Sequence, residues 1–162
     1  MTSPQLVRTL TIEHRRLVCA RPFDAVHRAL VNSVPALKPE VSEILVRGEK
    51  GKVATARRDW PKLWLFLVRN HGELTAADGQ SSKAMQYEIG NPLTASKMTR
   101  YRLAAALYAP LRVVLFEDER GNGVFEYDKP SSFFSQYGDE RVTEVGRSLD
   151  VELEAALREA AD

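Results

Sequence analysis

The stretch from Tyr87 to Pro130 constrains this chain more than any other. Tyr87-Glu88-Ile89 runs into Gly90-Asn91-Pro92-Leu93. Met85, Tyr87 and Ile89 alternate with Gln86 and Glu88, the period-two pattern of a half-buried strand. Gly90 lets the chain turn sharply. Asn91 suits an N-cap, where its side-chain oxygen accepts from N–H groups two or three residues ahead. Pro92 takes the first helical position, where a missing N–H costs nothing. A strand therefore turns directly into a helix, which the pattern extends to about residue 100. Such a turn is able to hold an anion on its free N–H groups, although most capped helices bind nothing and Asn91 as a plain cap is the simpler expectation.

A hairpin follows in the same block. Leu111-Arg112-Val113-Val114-Leu115-Phe116 is apolar and β-branched, Glu117 to Asn122 is polar and turn-rich, and Gly123-Val124-Phe125-Glu126-Tyr127 completes the pair. Pro110 marks the entry and Pro130 the exit. Leu103 to Leu107 either prolongs the preceding helix or forms a turn of its own.

On either side of this block the elements are simpler. Residues 7–20 read as a first strand, with Leu10, Ile12 and Val18 on one parity. Pro22 opens a helix whose apolar stripe is Phe23, Val26, Leu30 and Val34, and Pro35 stops it. Val41, Ile44 and Leu45 fit a short amphipathic helix. Lys50, Lys52, Arg57 and Arg58 form a small basic cluster ending at Trp60. Basic residues beside tryptophan are able to track phosphates and stack bases, but four charges in a nearly neutral chain weigh more towards a loop that Trp60 anchors. Leu63 to Val68 is apolar on both parities, the mark of a central strand covered on both faces. Arg69 to Gly72 and the small, polar Thr75 to Ser82 read as turns. Ser131 to Tyr137, rich in aromatics, packs down as a loop or short helix. Asp139 caps a last amphipathic helix with Val142, Val145, Leu149, Leu153 and Leu157 on one face; Asp150 falls among its exposed charges and nothing in the spacing sets it apart. The order predicts a single α+β domain over residues 1–162: a largely antiparallel sheet of about five strands with helices packed on one face.

Composition narrows the function classes. A length of 162 residues, 44% apolar and 28% charged, is that of one soluble globular domain. Net charge is +1, which argues against a dedicated nucleic-acid binder. The charge is uneven: residues 1–60 hold 11 Lys and Arg against 6 Asp and Glu, whereas residues 111–162 hold 6 against 13. Opposite signs of this kind attract within a domain or across a dimer, or simply sit solvated. The single cysteine, Cys19, allows no internal disulfide and suits a reducing, cytoplasmic setting. No signal pattern and no apolar run of membrane-spanning length is present, so no membrane partner is expected.

Catalytic motifs are missing. His14, His27 and His71 show no metal-ligand spacing, and no phosphate loop or nucleophile elbow occurs. Neither metal nor cofactor is implied. What remains is a polar set at element ends, where sites are built: Asn91, Tyr108, Arg112, Tyr127, Asp128 and Ser131, with His71 in a turn as a further candidate. Arg112 is suited to clamping a carboxylate or phosphate, the tyrosines offer an apolar ring with a polar tip, and Asp128 is a base or a turn cap. The plain alternative puts the tyrosines in the core, pairs Arg112 with Asp128 or Glu126, and leaves Ser131 capping a helix.

Several of these stretches resemble the domain of unknown function 302 family: Tyr87 to Leu93, Leu107-Tyr108-Ala109-Pro110-Leu111-Arg112, Phe116-Glu117-Asp118, Tyr127-Asp128-Lys129-Pro130-Ser131-Ser132 and Leu149-Asp150, with Arg21 to Val26 a weaker match. The resemblance implies a compact α+β domain that forms a homodimer, and no agreed activity. Three functions stay open: a binding domain for a small ligand, an anion among the options; a cofactor-free isomerase or cyclase using Tyr108, Tyr127, Asp128 and Arg112; and a pure interaction module joined by its uneven charge.

Overall fold

Alternating apolar residues build the five strands, and a computed structural model of the chain shows how they are ordered. It describes residues 3–48, 60–79 and 81–162. The elements are β1 (His14–Pro22), α1 (Phe23–Ser33), α2 (Pro39–Val46), β2 (Trp64–Asn70), α3 (Gly72–Ala76), β3 (Ala84–Gly90), α4 (Pro92–Thr99), a 3-10 turn (Leu103–Tyr108), β4 (Leu111–Glu117), β5 (Asn122–Asp128), α5 (Pro130–Phe134), a short 3-10 turn (Ser135–Tyr137) and α6 (Glu140–Ala161). The strands form one sheet in the order β1-β5-β4-β3-β2, each neighbouring pair antiparallel. This is the α+β layer expected from the sequence.

Alternation decides which side of the sheet each residue serves. Leu17, Phe125, Tyr127, Val113, Leu115, Tyr87 and Ile89 face the helices, where Val26 and Leu30 of α1, Met98 of α4, Phe133 and Phe134 of α5 and Leu149, Leu153 and Leu157 of α6 close the core. The opposite side carries His14, Arg16, Glu126, Asp128, Arg112, Val114, Gln86, Glu88 and Arg69, paired strand to strand. No helix covers that side among the described residues.

Three expectations need correction. The Leu63–Val68 run is not central: β2 is one of the two edge strands of the order. Its two apolar parities arise because its N-terminal half is covered, by Trp60 edge-on to Trp64 and by the Pro35–Leu37 segment, which exchanges backbone hydrogen bonds with Leu65. Leu67 and Val68 further along are exposed. The first strand starts at His14 rather than residue 7, because its ladder begins at the His14–Asp128 pair and Leu6 and Val7 lie in solvent. The polar stretch after β2 begins with a helical turn, α3, enabled by Gly72, where a Cβ would stand 2.4 Å from the Ser82 carbonyl oxygen. The basic cluster of Lys50, Lys52, Arg57 and Arg58 lies outside the described residues.

Two features of the helix layer go beyond the sequence pattern. Gly146 lets α5 approach α6 closely; a Cβ there would stand 3.0 Å from the Ser131 Cα and 3.2 Å from the Phe134 Cβ. One turn later the Asp150 carboxylate accepts the Ser131 N–H at 2.8 Å, capping α5 from the neighbouring helix. The uneven charge is expressed inside one chain, since β1 cations meet β5 anions: Arg16 Nη1 to Glu126 at 3.2 Å and His14 Nδ1 to Asp128 at 2.8 Å.

Candidate functional site

The strand-to-helix turn forms as expected and is self-contained. Asn91 Oδ1 accepts from the N–H groups of Leu93 at 2.9 Å and Thr94 at 3.4 Å, while its amide donates to the carbonyls of Pro61 and Lys62. Every polar end of Asn91 is thereby committed to holding β3, α4 and the segment before β2 together. Its side chain fits a cap better than a ligand contact.

A short step away, the 3-10 turn delivers Tyr108 and then a cis Ala109–Pro110 bond into β4. Tyr108 stacks on Phe133 with ring centroids 4.8 Å apart. Here three of the sequence candidates meet. Tyr108, Arg112 and Asp128 line one hollow of about 50 Å³, together with Ile12, Pro110 and Phe133. Arg112 and Asp128 also border a broader hollow of about 250 Å³ on the open face of the sheet, with His14, Gln86, Val114, Glu126 and, along the strand floor, Val113 and Tyr127. Arg112 stands between the two.

Its surroundings are unusual in one respect. The carboxylates on neighbouring strands have other partners: Glu88 takes Arg69 at 2.6 Å, Glu126 takes Arg16, and Asp128 takes His14. The cross-hairpin pairing of Arg112 with Asp128 or Glu126 does not form. Among the described residues the exposed Arg112 guanidinium has no hydrogen-bond or ion-pair partner. His14 is shared between Asp128 and Glu126, its Nε2 lying 3.4 Å from the latter. The Asp128 hydrogen bond raises its pKa above the usual histidine value; desolvation opposes this, and the Glu126 hydrogen bond adds to it. The hollow thus gains a second cation at mildly acidic pH.

The remaining candidates lie elsewhere. Tyr127 pairs with Val113 and so faces the helix layer, where burial raises its phenol pKa. Tyr127 borders the open-face hollow, but alternation turns its buried ring to the side away from Arg112. That leaves the proposed acid–base team of Tyr108, Tyr127, Asp128 and Arg112 split between two faces. Ser131 sits under α6 with its N–H on Asp150. His71 lies beyond the far end of β2; its Nε2 is buried without a partner. Two positions escaped sequence reasoning: His14 and Gln86 join the site by strand register, beside Glu126, which the sequence offered only as an ion-pair partner for Arg112. No group of three metal-ligating side chains occurs among the described residues.

Comparison with known proteins identifies the family and the fold. The family model described as "Domain of unknown function DUF302" matches residues 62–160. The chain belongs to the DUF302 family. The match takes in the strand-to-helix turn, the Tyr108–Arg112 segment, the hairpin and the Leu149-Asp150 pair; Arg21 to Val26 falls before it. A solved structure of an uncharacterized conserved DUF302 protein from Bacillus stearothermophilus shares the fold, with a TM-score of 0.66 at 14% identity, covering 91% of this chain and 97% of the other. No curated protein matches the chain. Within this DUF302 domain, no described helix is long and apolar enough to cross a membrane.

Proposed function

We propose that this DUF302 domain is a binding domain for a small anionic ligand, held at Arg112 and not chemically transformed. The observation that carries this reading is the Arg112 guanidinium: exposed, without a partner among the described residues, and set between two hollows while the nearby carboxylates are occupied. An arginine presents a planar fork of donors that fits a carboxylate or phosphate. Tyr108 and Pro110 supply an apolar wall beside it, and His14, when protonated, offsets the charge of Asp128.

A homodimer in the cytoplasm belongs to the same proposal. The buried thiol of Cys19, whose pKa burial pushes up to about 11, is unreactive and suits a reducing compartment. A thermal-shift screen of small carboxylates and phosphates, with the oligomer mass measured in parallel, tests the whole. The expected result is a saturable rise in Tm with at least one anion, absent in Arg112→Ala although that variant melts like the parent. A shift that persists in Arg112→Ala, or silence across the screen, removes Arg112 as the ligand contact. Turnover of the bound compound, abolished in Asp128→Asn, would replace the binding reading with an enzymatic one.

A further inference from the structure

Behind the Arg112 hollow lies a second cavity, of about 90 Å³. The two share Tyr108, Pro110 and Leu111 as a common wall. Phe66, Met98, Phe134 and Leu149 supply much of the remainder, from four different elements. Asn91, Thr94 and Tyr108 also border it, but both ends of the Asn91 amide are already bonded to the backbone and the surface the cavity exposes is almost wholly apolar. A water molecule needs two to four polar partners, and a cavity of apolar side chains stays dry and accepts apolar guests. A cavity of about 150 Å³ of that kind takes benzene or xenon; this one is smaller, which limits its occupant to a short or branched alkyl group.

We infer that this cavity is an apolar subsite for a compact alkyl group, and that the ligand of the domain is a short-chain aliphatic carboxylate with its head on Arg112 and its tail behind the Tyr108–Leu111 turn. The tail site stands on the cavity alone; the joining of head and tail rests on the reading of Arg112 given above. Alkyl burial in such a site raises affinity about fourfold per methylene, so a growing chain gains affinity until the cavity is full.

Gly90 offers a way to test this with little disturbance of the fold. A Cβ added there would meet the Pro110 Cβ at 3.5 Å and the Phe66 Cε2 at 3.7 Å, both ordinary contacts with atoms of cavity-lining residues. Gly90→Ala therefore fills part of the space without displacing a neighbour, and Ala95→Val, on the α4 wall, provides a second and independent filling. Xenon binding, followed by xenon NMR on the full chain, reports the cavity. Calorimetry with acetate, butyrate and 3-methylbutyrate reports the joined site.

The proposal expects saturable xenon binding in the parent, weakened severalfold in Gly90→Ala and Ala95→Val and retained in Arg112→Ala. It also expects carboxylate affinity to climb with chain length in the parent, to lose that climb in the filled variants, and to vanish in Arg112→Ala. No xenon binding in the parent overturns the cavity as a site. Xenon binding with carboxylate affinity indifferent to chain length overturns the aliphatic ligand class. Xenon binding with no carboxylate binding of any length supports the apolar subsite and overturns the role of Arg112.

Discussion

The two faces of the sheet hold polar residues in opposite ways. On the helix side Asn91, Asp139 and Asp150 each accept backbone N–H groups at the start of a helix, Asn91 and Asp150 make only backbone bonds, and Asp139 adds the Arg141 guanidinium. On the open side His14, Arg16, Arg69, Glu88, Glu126 and Asp128 pair with one another across strands in solvent, and Arg112 is left over. Burial accounts for the contrast. A polar group beneath helices must be satisfied by the fold itself or it costs stability, so it is not free for a ligand. A charge on the open face contributes little to folding and can be left unpaired where function needs it.

Loss of core volume gives the sharpest separation of the two faces. Phe134, fully buried among Tyr108, Phe133 and α6, is expected to lose about 3–5 kcal/mol on Phe134→Ala. Phe116→Ala, on the open face beneath Arg16, should lose much less. Denaturant midpoints of the two variants compare them directly; equal losses would mean that the open face is covered in solution. Next in size is the α5–α6 contact. Gly146→Leu forces side-chain atoms into the backbone at Ser131, an overpacking expected to cost about 1–3 kcal/mol in the same measurement. A variant as stable as the parent would show that α5 is free to move off α6.

Smaller still are the caps. Asn91→Ala and Asp150→Ala should each lose about 1 kcal/mol, against a change within about 0.5 kcal/mol for Glu88→Ala on the open face. If Glu88→Ala costs as much as either cap, the assignment of structural roles to one face fails.

The last comparison is in pH, and the two faces respond with opposite sign. Hydrogen bonds from the Arg141 side chain and backbone, helped by the nearby Arg102, hold the Asp139 carboxyl at about 2, below its ordinary 3.8. A carboxylate depressed on folding contributes stability that is complete above the unfolded value and is lost as pH falls from there through about 2. Stability measured by denaturant over this acid range should lose that part of its slope in Asp139→Asn. His14 is raised on folding by Asp128, so its contribution is complete below the ordinary 6.5 and is lost as pH rises through the folded value. The ring is mostly exposed, which makes the stability effect slight; the same titration should weaken anion binding at Arg112 with rising pH. Affinity that is flat through this range in the parent would uncouple His14 from the site.

Local signals made much of the fold legible. Gly90-Asn91-Pro92 specified a strand ending in a capped helix, the turn-rich Glu117 to Asn122 specified the β4–β5 hairpin, and the Asp139 cap with its three- and four-residue apolar spacing specified α6. Each depends on atoms within a few residues, so the sequence carries them in full. The edge position of β2 was not legible, because an apolar strand looks alike whether a second strand or the Pro35–Leu37 segment covers it. Asp150 looked like any exposed charge on α6, since its partner N–H belongs to another helix.

The site divides along the same line. Residue types alone named Tyr108, Arg112 and Asp128 as polar groups at element ends, and the structure brings those three together. The side on which Tyr127 falls relative to Arg112 depends on the register of the β4–β5 hairpin, and His14 joins the site only because β1 pairs with β5 across about a hundred positions or more. Nor could sequence show that Arg112 lacks a partner. That depends on how Glu88, Glu126 and Asp128 distribute themselves among all the cations in reach. The sequence by itself thus determined the elements, their caps and the residue types available for binding. Only the tertiary structure decided which of them share a surface and which of those remain uncommitted, because pairing between charges is a competition settled by distance in space.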